Sequence, residues 1–212
     1  MDAGLIPVKR LDRAKERLSA VLDAPARRRL AEALLADALE LCRRADFLRW
    51  WVVSDDPQVL RRATAAGVAV VGDGGGGLNP ALAGALEAVA AAGARSTTIV
   101  PCDVPLARPG DIEDLVDTGA TSDVVVTPST NDGGTNALFL SPPGVLAPCF
   151  GPGSLRAHLA AADDVGLRAS LLPLPRLALD LDTADDLRAF RALPDASLTH
   201  AGRVLESLPG ED

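Results

Sequence analysis

The chain alternates short apolar runs with longer segments of helical periodicity, and this alternation constrains the fold more than any other feature. Short apolar runs between turn residues are typical of buried strands, whereas apolar residues at positions i, i+3, i+4 and i+7 indicate helices. Strands that alternate with helices build a mostly parallel sheet with helices on both of its faces. We therefore predict an α/β fold with a single-domain, doubly wound, mostly parallel sheet.

The pattern also predicts where each element lies. The predicted strands are 3–8, 48–54, 67–71, 96–103, 122–129, 135–141, 168–175 and 177–182. The predicted helices are 24–45, 57–66, 80–92, 109–116, 151–166 and 183–193. Asn79 is expected to cap the helix 80–92, because Asn is a favoured N-cap and Pro80 suits the first turn. Residues 1–194 are assigned to the one domain, and residues 195–212 to a polar C-terminal tail with weak periodicity.

Composition and charge argue against several classes of protein. The 212 residues carry a formal net charge of −8, whereas general nucleic-acid-binding proteins usually present a basic face. No apolar run approaches the ~18 residues that cross a bilayer, and the N-terminus lacks the layout of a signal peptide. Cys42, Cys102 and Cys149 form no CxxC pair, so reduced thiols in a cytoplasmic protein are expected, without a membrane or nucleic-acid partner.

Polar groups gather where the predicted strands end. In doubly wound sheets, ligands bind beyond the carboxyl ends of the strands. In this chain the positions at that edge are Lys9, Ser54-Asp55, Asp103, Thr127-Pro128 and the pair Asp180 and Asp182. A binding site is therefore expected at this edge of the sheet.

A basic segment, IPVKRLDRAKERL at residues 6–18, follows the first strand. Its five cationic side chains outnumber two acidic ones, Asp12 and Glu16. Lys9 and Lys15 are the only lysines among 21 basic residues. Arginine stands at all the other basic positions, so the two lysines within the first 15 residues indicate a place that needs a compact ammonium. Because an ammonium and a guanidinium bind phosphate differently, this favours a polyanion-binding segment. The alternative is a solvated basic surface.

Acidic side chains alternate with leucines in LALDLDTADDL, residues 177–187. On a strand, Asp180 and Asp182 share one face about 7 Å apart, where they repel each other by roughly 2 kcal/mol at an effective dielectric near 20. A divalent cation converts that repulsion into chelation, and carboxylate oxygens suit Mg²⁺ or Mn²⁺. Asp103, at a strand end, is a further candidate ligand. The alternatives are a turn-capping role for Asp103 and a helix cap at Asp182 or Thr183.

A glycine-rich turn enters the predicted strand 135–141. Gly133-Gly134 permits close approach of the backbone to a ligand, and Thr135 and Asn136 then offer a hydroxyl and an amide. An ordinary glycine turn is the alternative.

A second glycine-rich loop, FGPGSLRAH at residues 150–158, opens a helix. Gly151 and Ser154 lie where free backbone N–H groups and a hydroxyl can bind an anion. The alternatives are a simple N-cap at Ser154 and, for His158, a partly buried structural histidine, which is the interpretation that we favour.

Taken in series, these stretches resemble one known family. IPVKRLDRAKERL, GLNPAL, PCDVPL, GGTNALFL, FGPGSLRAH and LDLDTADDL follow one another across residues 5–190. In this order they resemble the guanylyltransferases of coenzyme F-420 biosynthesis, which act on 2-phospho-L-lactate or phosphoenolpyruvate. The resemblance implies a nucleotide-diphospho-sugar-transferase-like (Rossmann-like) nucleotidyltransferase fold, with GTP as the donor and Mg²⁺, or Mn²⁺ in its place, as the cofactor.

The resemblance also assigns roles to residues. The implied metal ligands are Asp103, Asp180 and Asp182. The implied contacts to the triphosphate are Lys9, Lys15 and Arg17, which with Asp103 form the catalytic set. The implied acceptor contacts are Thr135, Gly151 and Ser154. Apart from the resemblance, Ser54-Asp55 and the loop 73–79 are expected to contact the base, and Asn79 is expected to bind the nucleotide. Glu16 stands where the family often has serine, so its side chain is expected to point away from the phosphates.

The expected reaction joins GMP from GTP to the phosphate of phosphoenolpyruvate, or of 2-phospho-L-lactate, and releases pyrophosphate. The arginine-rich composition suggests an actinobacterial-type source. The related enzymes of such sources use phosphoenolpyruvate as the acceptor, so this compound is favoured. The alternatives are another nucleotidyltransferase, with a molybdopterin or sugar-phosphate acceptor, and a non-catalytic nucleotide-binding regulator. The nucleotidyltransferases with molybdopterin or sugar-phosphate acceptors typically have a glycine-rich LAGG-type loop after the first strand. This chain has IPVKRL at that place, which counts against them. A monomer or homodimer is expected, with a downstream deazaflavin transferase as a candidate partner.

Overall fold

Seven strands form one sheet in the computed structural model, which describes residues 1–130 and 133–208. The strands are β1 (Asp2–Pro7), β2 (Arg49–Ser54), β3 (Ala69–Gly72), β4 (Ser96–Ile99), β5 (Val124–Pro128), β6 (Thr135–Leu140) and β7 (Ala169–Leu171). Their order is β3-β2-β1-β4-β6-β5-β7. Strand β6 pairs antiparallel with β4 and β5, and the other pairs are parallel. The predicted α/β class with a mostly parallel sheet is confirmed.

Helices cover both faces of this sheet. They are α1 (Ala24–Arg44), α2 (Pro57–Ala65), α3 (Leu78–Ala91), α4 (Pro109–Gly119), α5 (Ser154–Asp164), α6 (Pro175–Ala178), α7 (Ala184–Arg191) and α8 (His200–Ser207). The long helix α1 begins where the sequence predicts, because the Asp23 carboxylate accepts a hydrogen bond from the Ala26 N–H at 2.8 Å and a proline occupies its first turn. None of the helices in the described ranges is long and apolar enough to span a membrane.

Successive side chains of the central strands enter two different cores. Ile6 of β1 packs with α1, α2 and α4, whereas the preceding Leu5 packs with α3 and α5 on the opposite face. Trp50 and Trp51 of β2 divide in the same way. Both faces are therefore buried, as expected for strands with continuous apolar sequences, and polar loops are left to gather at the strand ends.

The reversal of β6 decides which residues reach the binding edge. In the pairing of β4 with β6, Ile99 lies opposite Leu138. The start of β6 therefore lies beside the segment that follows the carboxyl end of β4. Thr135 and Asn136 consequently lie at the same edge as Asp103. The preceding Asn131 and Asp132, which belong to the same sequence stretch, lie outside the described residues.

Three local predictions are wrong. Residues 177–182 do not form a strand: Pro175 begins the short helix α6, and the chain then reaches α7 without joining the sheet. Asn79 does not cap α3, which begins two residues earlier than predicted with Gly77 as its N-cap. The segment after residue 194, expected to be a polar tail, contains helix α8, whose Ala201 and Leu205 are buried in a core shared with α1 and α7.

Candidate active site

A cavity of about 480 Å³ opens at the carboxyl edge of the sheet. This volume is in the range of small-ligand sites. The cavity lies among the segments after β1 and β4, the start of β6, and the starts of α3 and α5. Nine residues singled out in the sequence line it together: Lys9, Lys15, Arg17, Asp103, Thr135, Gly151, Ser154, Asp180 and Asp182.

Three carboxylates form an acidic cluster in the cavity. Each of Asp103, Asp180 and Asp182 offers an oxygen within 4.8 Å of the others. The backbone holds them together, because the Leu181 N–H donates to the Asp103 carbonyl at 3.1 Å. Segments that are distant in the sequence are thereby joined at one point. Clustered carboxylate oxygens are a donor set that suits a hard divalent cation.

Asp180 is the member of the cluster that is held by neutral partners. Its Oδ1 accepts hydrogen bonds from Asn136 Nδ2 at 3.0 Å and from Ser129 Oγ at 3.3 Å. Burial, together with the charge of Asp103, raises the pKa of Asp180. Its carboxylate therefore gains from any positive charge that enters the cavity.

Asp182 is not the cap of the following helix. The N-cap of α7 is Thr183, and Asp186 completes the capping box by accepting hydrogen bonds from the N–H groups of Asp182 and Thr183. The predicted capping box exists, but it leaves the Asp182 carboxylate to face the cavity. Burial by itself disfavours the charged form, yet Lys15 brings the pKa of Asp182 below its usual value.

Lys15 joins two members of the acidic cluster. Its Nζ lies 2.8 Å from an oxygen of Asp103 and 2.8 Å from an oxygen of Asp182, and its side chain is only 8% exposed. Burial alone would lower the pKa of Lys15, but these two carboxylates raise it. Among the described residues, Lys15 is the only non-glycine with a positive φ, at 59°. Such a backbone costs about 1 kcal/mol, and it directs the ammonium into the cluster.

The other cations of the basic segment are more exposed. Arg17 approaches Asp182 at 3.7 Å with a side chain that is 68% exposed, and Lys9 is exposed at the cavity wall. Both are accessible to an anionic ligand. Glu16 is exposed and does not line the cavity, as its expected orientation requires.

Hydroxyl and backbone groups also line the cavity. Gly151 and Gly153 have φ values of 135° and 72°, which side chains rarely tolerate, and this turn brings Ser154 to the start of α5. The Ser154 hydroxyl is buried and has no hydrogen-bond partner within the described ranges. A buried hydroxyl without a partner is costly, so a ligand atom is the natural acceptor for it. Thr135 also lines the cavity.

Asn79 does not line the cavity. Its side-chain oxygen accepts a hydrogen bond from the Phe150 N–H at 2.8 Å, and its side-chain nitrogen donates to the Phe150 carbonyl at 3.0 Å. Of the other expected nucleotide contacts, Asp55 and Asp73 reach the cavity, whereas Ser54 is fully buried and accepts from the Asp56 N–H.

Two residues have a larger place in the site than the sequence suggested. Asn136, noted only as an available amide, lines the cavity and orients Asp180. His158, expected to be partly buried, is completely buried and contacts Thr135. For Asn136 the signal was its place next to Thr135 at the start of a buried strand. For His158 the only local signal was its i, i+4 spacing from Ser154.

Comparison with known proteins places this geometry in a wider group. The model of the family described as "Guanylyl transferase CofC like" matches residues 3–197. A protein of Rubrobacter xylanophilus named phosphoenolpyruvate guanylyltransferase is 40% identical over 189 residues, which are 89% of this chain and 92% of the relative. A protein of Methanothermobacter thermautotrophicus named 2-phospho-L-lactate guanylyltransferase is 37% identical over 206 residues, covering 96% of this chain and 89% of its own.

Solved structures share the fold at low sequence identity. A Desulfovibrio desulfuricans protein, provisionally named a nucleotide-diphospho-sugar transferase, superposes with a TM-score of 0.83 at 15% identity, covering 97% of this chain and 94% of its own. A nucleotidyl transferase of Methanothermobacter thermautotrophicus gives 0.65 at 14% identity, with coverage of 98% and 99%. A Mycobacterium tuberculosis protein crystallised with manganese gives 0.59 at 19% identity, with 98% of each chain covered. The nucleotidyltransferase fold implied by the sequence motifs is thus confirmed.

Proposed function

The chain belongs to the CofC-like family of guanylyl transferases, and we propose that it transfers GMP from GTP to the phosphate of phosphoenolpyruvate with release of pyrophosphate. Relatives from Rubrobacter and Chloroflexus that are named for this acceptor are 40% identical to the chain. The relative named for 2-phospho-L-lactate is 37% identical, which makes that compound the second candidate acceptor. The observation that carries the proposal is that an acidic cluster, three cationic side chains and two hydroxyl groups line the same cavity.

The proposed step is an in-line displacement. A phosphate oxygen of phosphoenolpyruvate forms a bond to the α-phosphorus of GTP, and the bond from that phosphorus to the oxygen that bridges to the β-phosphorus breaks. Pyrophosphate leaves with that electron pair. The nucleophile is already an anion, so no protein group needs to remove a proton. The barrier is the repulsion between two polyanions, and positioning and fixed charge lower such a barrier.

Two sets of cavity residues lower the barrier. Lys9 and Arg17 face the β- and γ-phosphates, and together with the charge of Lys15, whose ammonium lies between Asp103 and Asp182, they stabilise the negative charge that grows on the leaving pyrophosphate. Thr135, Ser154 and the backbone at Gly151 hold the acceptor through hydrogen bonds to its anionic oxygens. Asn79 keeps the loop before α5 in place through Phe150 rather than by a direct contact to the nucleotide.

The acidic cluster fits a divalent cation. Three carboxylates with oxygens within 4.8 Å of one another, one of them with a raised pKa, would hold Mg²⁺ or Mn²⁺. When bound, the cation supplies positive charge to the phosphate oxygens of both substrates. Asn136 keeps the Asp180 carboxylate turned towards this position.

The direct test is a pyrophosphate-release assay with the purified protein, GTP, Mg²⁺ and phosphoenolpyruvate. Release should require both substrates and the cation, and it should fall at least about a hundredfold in Asp180→Asn because a metal ligand is lost. Failure to release pyrophosphate with either phosphoenolpyruvate or 2-phospho-L-lactate would overturn the proposed reaction. A GTP-induced rise in melting temperature without any turnover would instead favour a nucleotide-binding regulator.

A further inference from the structure

His158 is a buried polar side chain to which the proposed reaction gives no part. It lies on the second turn of α5 and is completely buried. Its Nδ1 lies 3.0 Å from Thr135 Oγ1, and its Nε2 lies 3.0 Å from the backbone nitrogen of Cys149. The edge of Phe150 packs on the ring, with centroids 5.2 Å apart and planes at 73°. The ring therefore connects the loop before α5 to the start of β6.

The partners of the ring fix where its proton lies. The Cys149 N–H can only donate, so Nε2 must accept and carries no hydrogen. Burial lowers the pKa of His158 to about 4, so the ring is neutral near pH 7 and carries one hydrogen in all. That hydrogen must lie on Nδ1, which faces Thr135 Oγ1. The ring thus donates to the threonine hydroxyl at 3.0 Å, and the backbone of Ser154 also favours a hydrogen on the ring.

This assignment sets the polarity of Thr135. A hydroxyl has one hydrogen and two lone pairs. Because Thr135 Oγ1 accepts from the histidine ring, its own hydrogen remains available for another acceptor. In the opposite tautomer Thr135 would donate to the ring and present only lone pairs to the cavity, which would repel an anion. Ser154 adds a second hydroxyl to the lining of the cavity, and within the described ranges it has no partner.

We propose that His158 is a positioning residue: by donating from Nδ1 to Thr135, it fixes the threonine hydroxyl as a hydrogen-bond donor to an anionic oxygen of the acceptor substrate. The identity of the acceptor rests on the proposed function, whereas the hydrogen-bond polarity rests on the contacts of the ring. The loop that holds the ring is itself held, because both ends of the Asn79 amide bond the backbone of Phe150.

The tautomer can be measured without any activity. The chain has only two histidines, His158 and the exposed His200, so His200→Asn identifies the signals of the buried ring. Two-bond proton–nitrogen correlation spectra near pH 7 should show a neutral ring with its hydrogen on Nδ1. A ring protonated on Nε2, or doubly protonated, would overturn the proposal.

Two substitutions separate the two hydrogen bonds of the ring. The shorter amide introduced by His158→Asn lies at the level of Nδ1 and can still donate to Thr135. The longer amide introduced by His158→Gln lies at the level of Nε2 and serves only Cys149. With one hydrogen bond lost in each, the two variants should have similar melting temperatures.

The two variants should differ in how they bind the acceptor. The KM for phosphoenolpyruvate should stay within about threefold of the unchanged protein in His158→Asn and rise about tenfold or more in His158→Gln, because a hydrogen bond to an ionised group is lost. The KM for GTP should change little in both.

Thr135→Val provides the decisive background. If His158 acts through the Thr135 hydroxyl, the Asn and Gln variants at position 158 should have the same KM for phosphoenolpyruvate once that hydroxyl is gone. A tenfold difference that persists in the Thr135→Val background would overturn the proposal. So would equal effects of the Asn and Gln substitutions in the unchanged background.

Failure of the proposed function gives a different result. If the unchanged protein turns over neither acceptor, the guanylyltransferase reaction is wrong, and the same comparison is made on the Kd of phosphoenolpyruvate by calorimetry. Binding that weakens in His158→Gln but not in His158→Asn supports the positioning role. Binding that is equal in the two variants, or absent from the unchanged protein, overturns it.

Discussion

Lowering the pH from about 7.5 to about 5 should destabilise the protein through the buried ring of His158. The environment of the ring lowers its pKa from 6.5 to about 4, chiefly because burial disfavours the charged form. Below pH 6.5 the unfolded chain therefore takes up a proton that the folded protein does not. The stability that the neutral ring contributes is complete above this pH and is lost as the pH falls towards 4.

The size of the effect follows from the two pKa values. Each tenfold difference in proton affinity corresponds to about 1.4 kcal/mol, so the ring should cost about 2 kcal/mol of unfolding free energy at about pH 5 relative to about pH 7.5. Asp37 and Asp180, whose pKa values are raised by burial, also contribute to the pH dependence of stability. Their contributions are common to the unchanged protein and to His158→Asn, so they cancel when the two are compared.

The assay is urea unfolding of both proteins at several pH values across this range. The stability difference between the two should shrink by about 2 kcal/mol on acidification, because only the unchanged protein loses the contribution of a neutral ring. His200→Asn is the matched control, since it removes the exposed histidine, and it should follow the unchanged protein. Parallel pH profiles for the unchanged protein and His158→Asn would refute the claim that burial keeps this ring neutral.

Three further predictions concern the cavity. Ser154→Ala removes a buried hydroxyl that has no partner among the described residues, so the unfolding free energy should stay constant or rise by up to about 1 kcal/mol. The KM for phosphoenolpyruvate should rise about tenfold, because a hydrogen bond to the acceptor is lost. A loss of stability without a change in KM would contradict this role of Ser154. Lys15→Met removes the ammonium that competes with a metal ion for the carboxylates of Asp103 and Asp182. Calorimetry should therefore show Mn²⁺ binding about tenfold more tightly to the nucleotide-free variant, and weaker binding would contradict this competition. Thr183→Ala should cost about 1 kcal/mol of stability with turnover retained, because it removes the cap of α7. Asp182→Asn should lose about a hundredfold in turnover, because a metal ligand is lost; full turnover in this variant would contradict the ligand role.

The fold was predictable because local pattern and tertiary structure agree in most elements. The apolar runs at β1, β2 and β5 are long enough to be buried on both faces, and α1 has both a capping aspartate and a clear apolar stripe. The rule that ligands bind at the carboxyl ends of parallel strands then located the site without any contact information. Helix α8 was missed because its apolar residues are few, and only packing against α1 and α7 makes them a buried face.

The remaining errors come from partners that are distant in the sequence. Residues 177–182 alternate like a strand. However, the Ala178 carbonyl accepts hydrogen bonds from the backbone and hydroxyl of Thr130 and from the Asn136 side chain, so it is not available to pair with a neighbouring strand. Asn79 looks like a helix cap, but its side-chain amide instead forms two hydrogen bonds with the backbone of Phe150, 71 positions away. Such long-range competition leaves no trace in a local pattern.

Some residue roles at the site could be predicted from the sequence, and others depend on partners that are distant in the chain. The gathering of Asp103, Asp180 and Asp182 could be expected from strand ends and alternation, even though the segment that carries the last two is not a strand. The left-handed backbone of Lys15 and the orientation of the His158 ring could not, because each depends on charges or hydrogen bonds from other segments.

The most direct test of the central claim follows one oxygen atom. The protein is incubated with GTP, Mg²⁺ and phosphoenolpyruvate whose phosphate oxygens carry oxygen-18, and the product is examined by phosphorus NMR. If the acceptor phosphate attacks the α-phosphorus of GTP, the oxygen that bridges the two phosphorus atoms of the product is labelled, and unlabelled pyrophosphate is released. An unlabelled bridge, or no new phosphorus–oxygen–phosphorus linkage, would contradict the account.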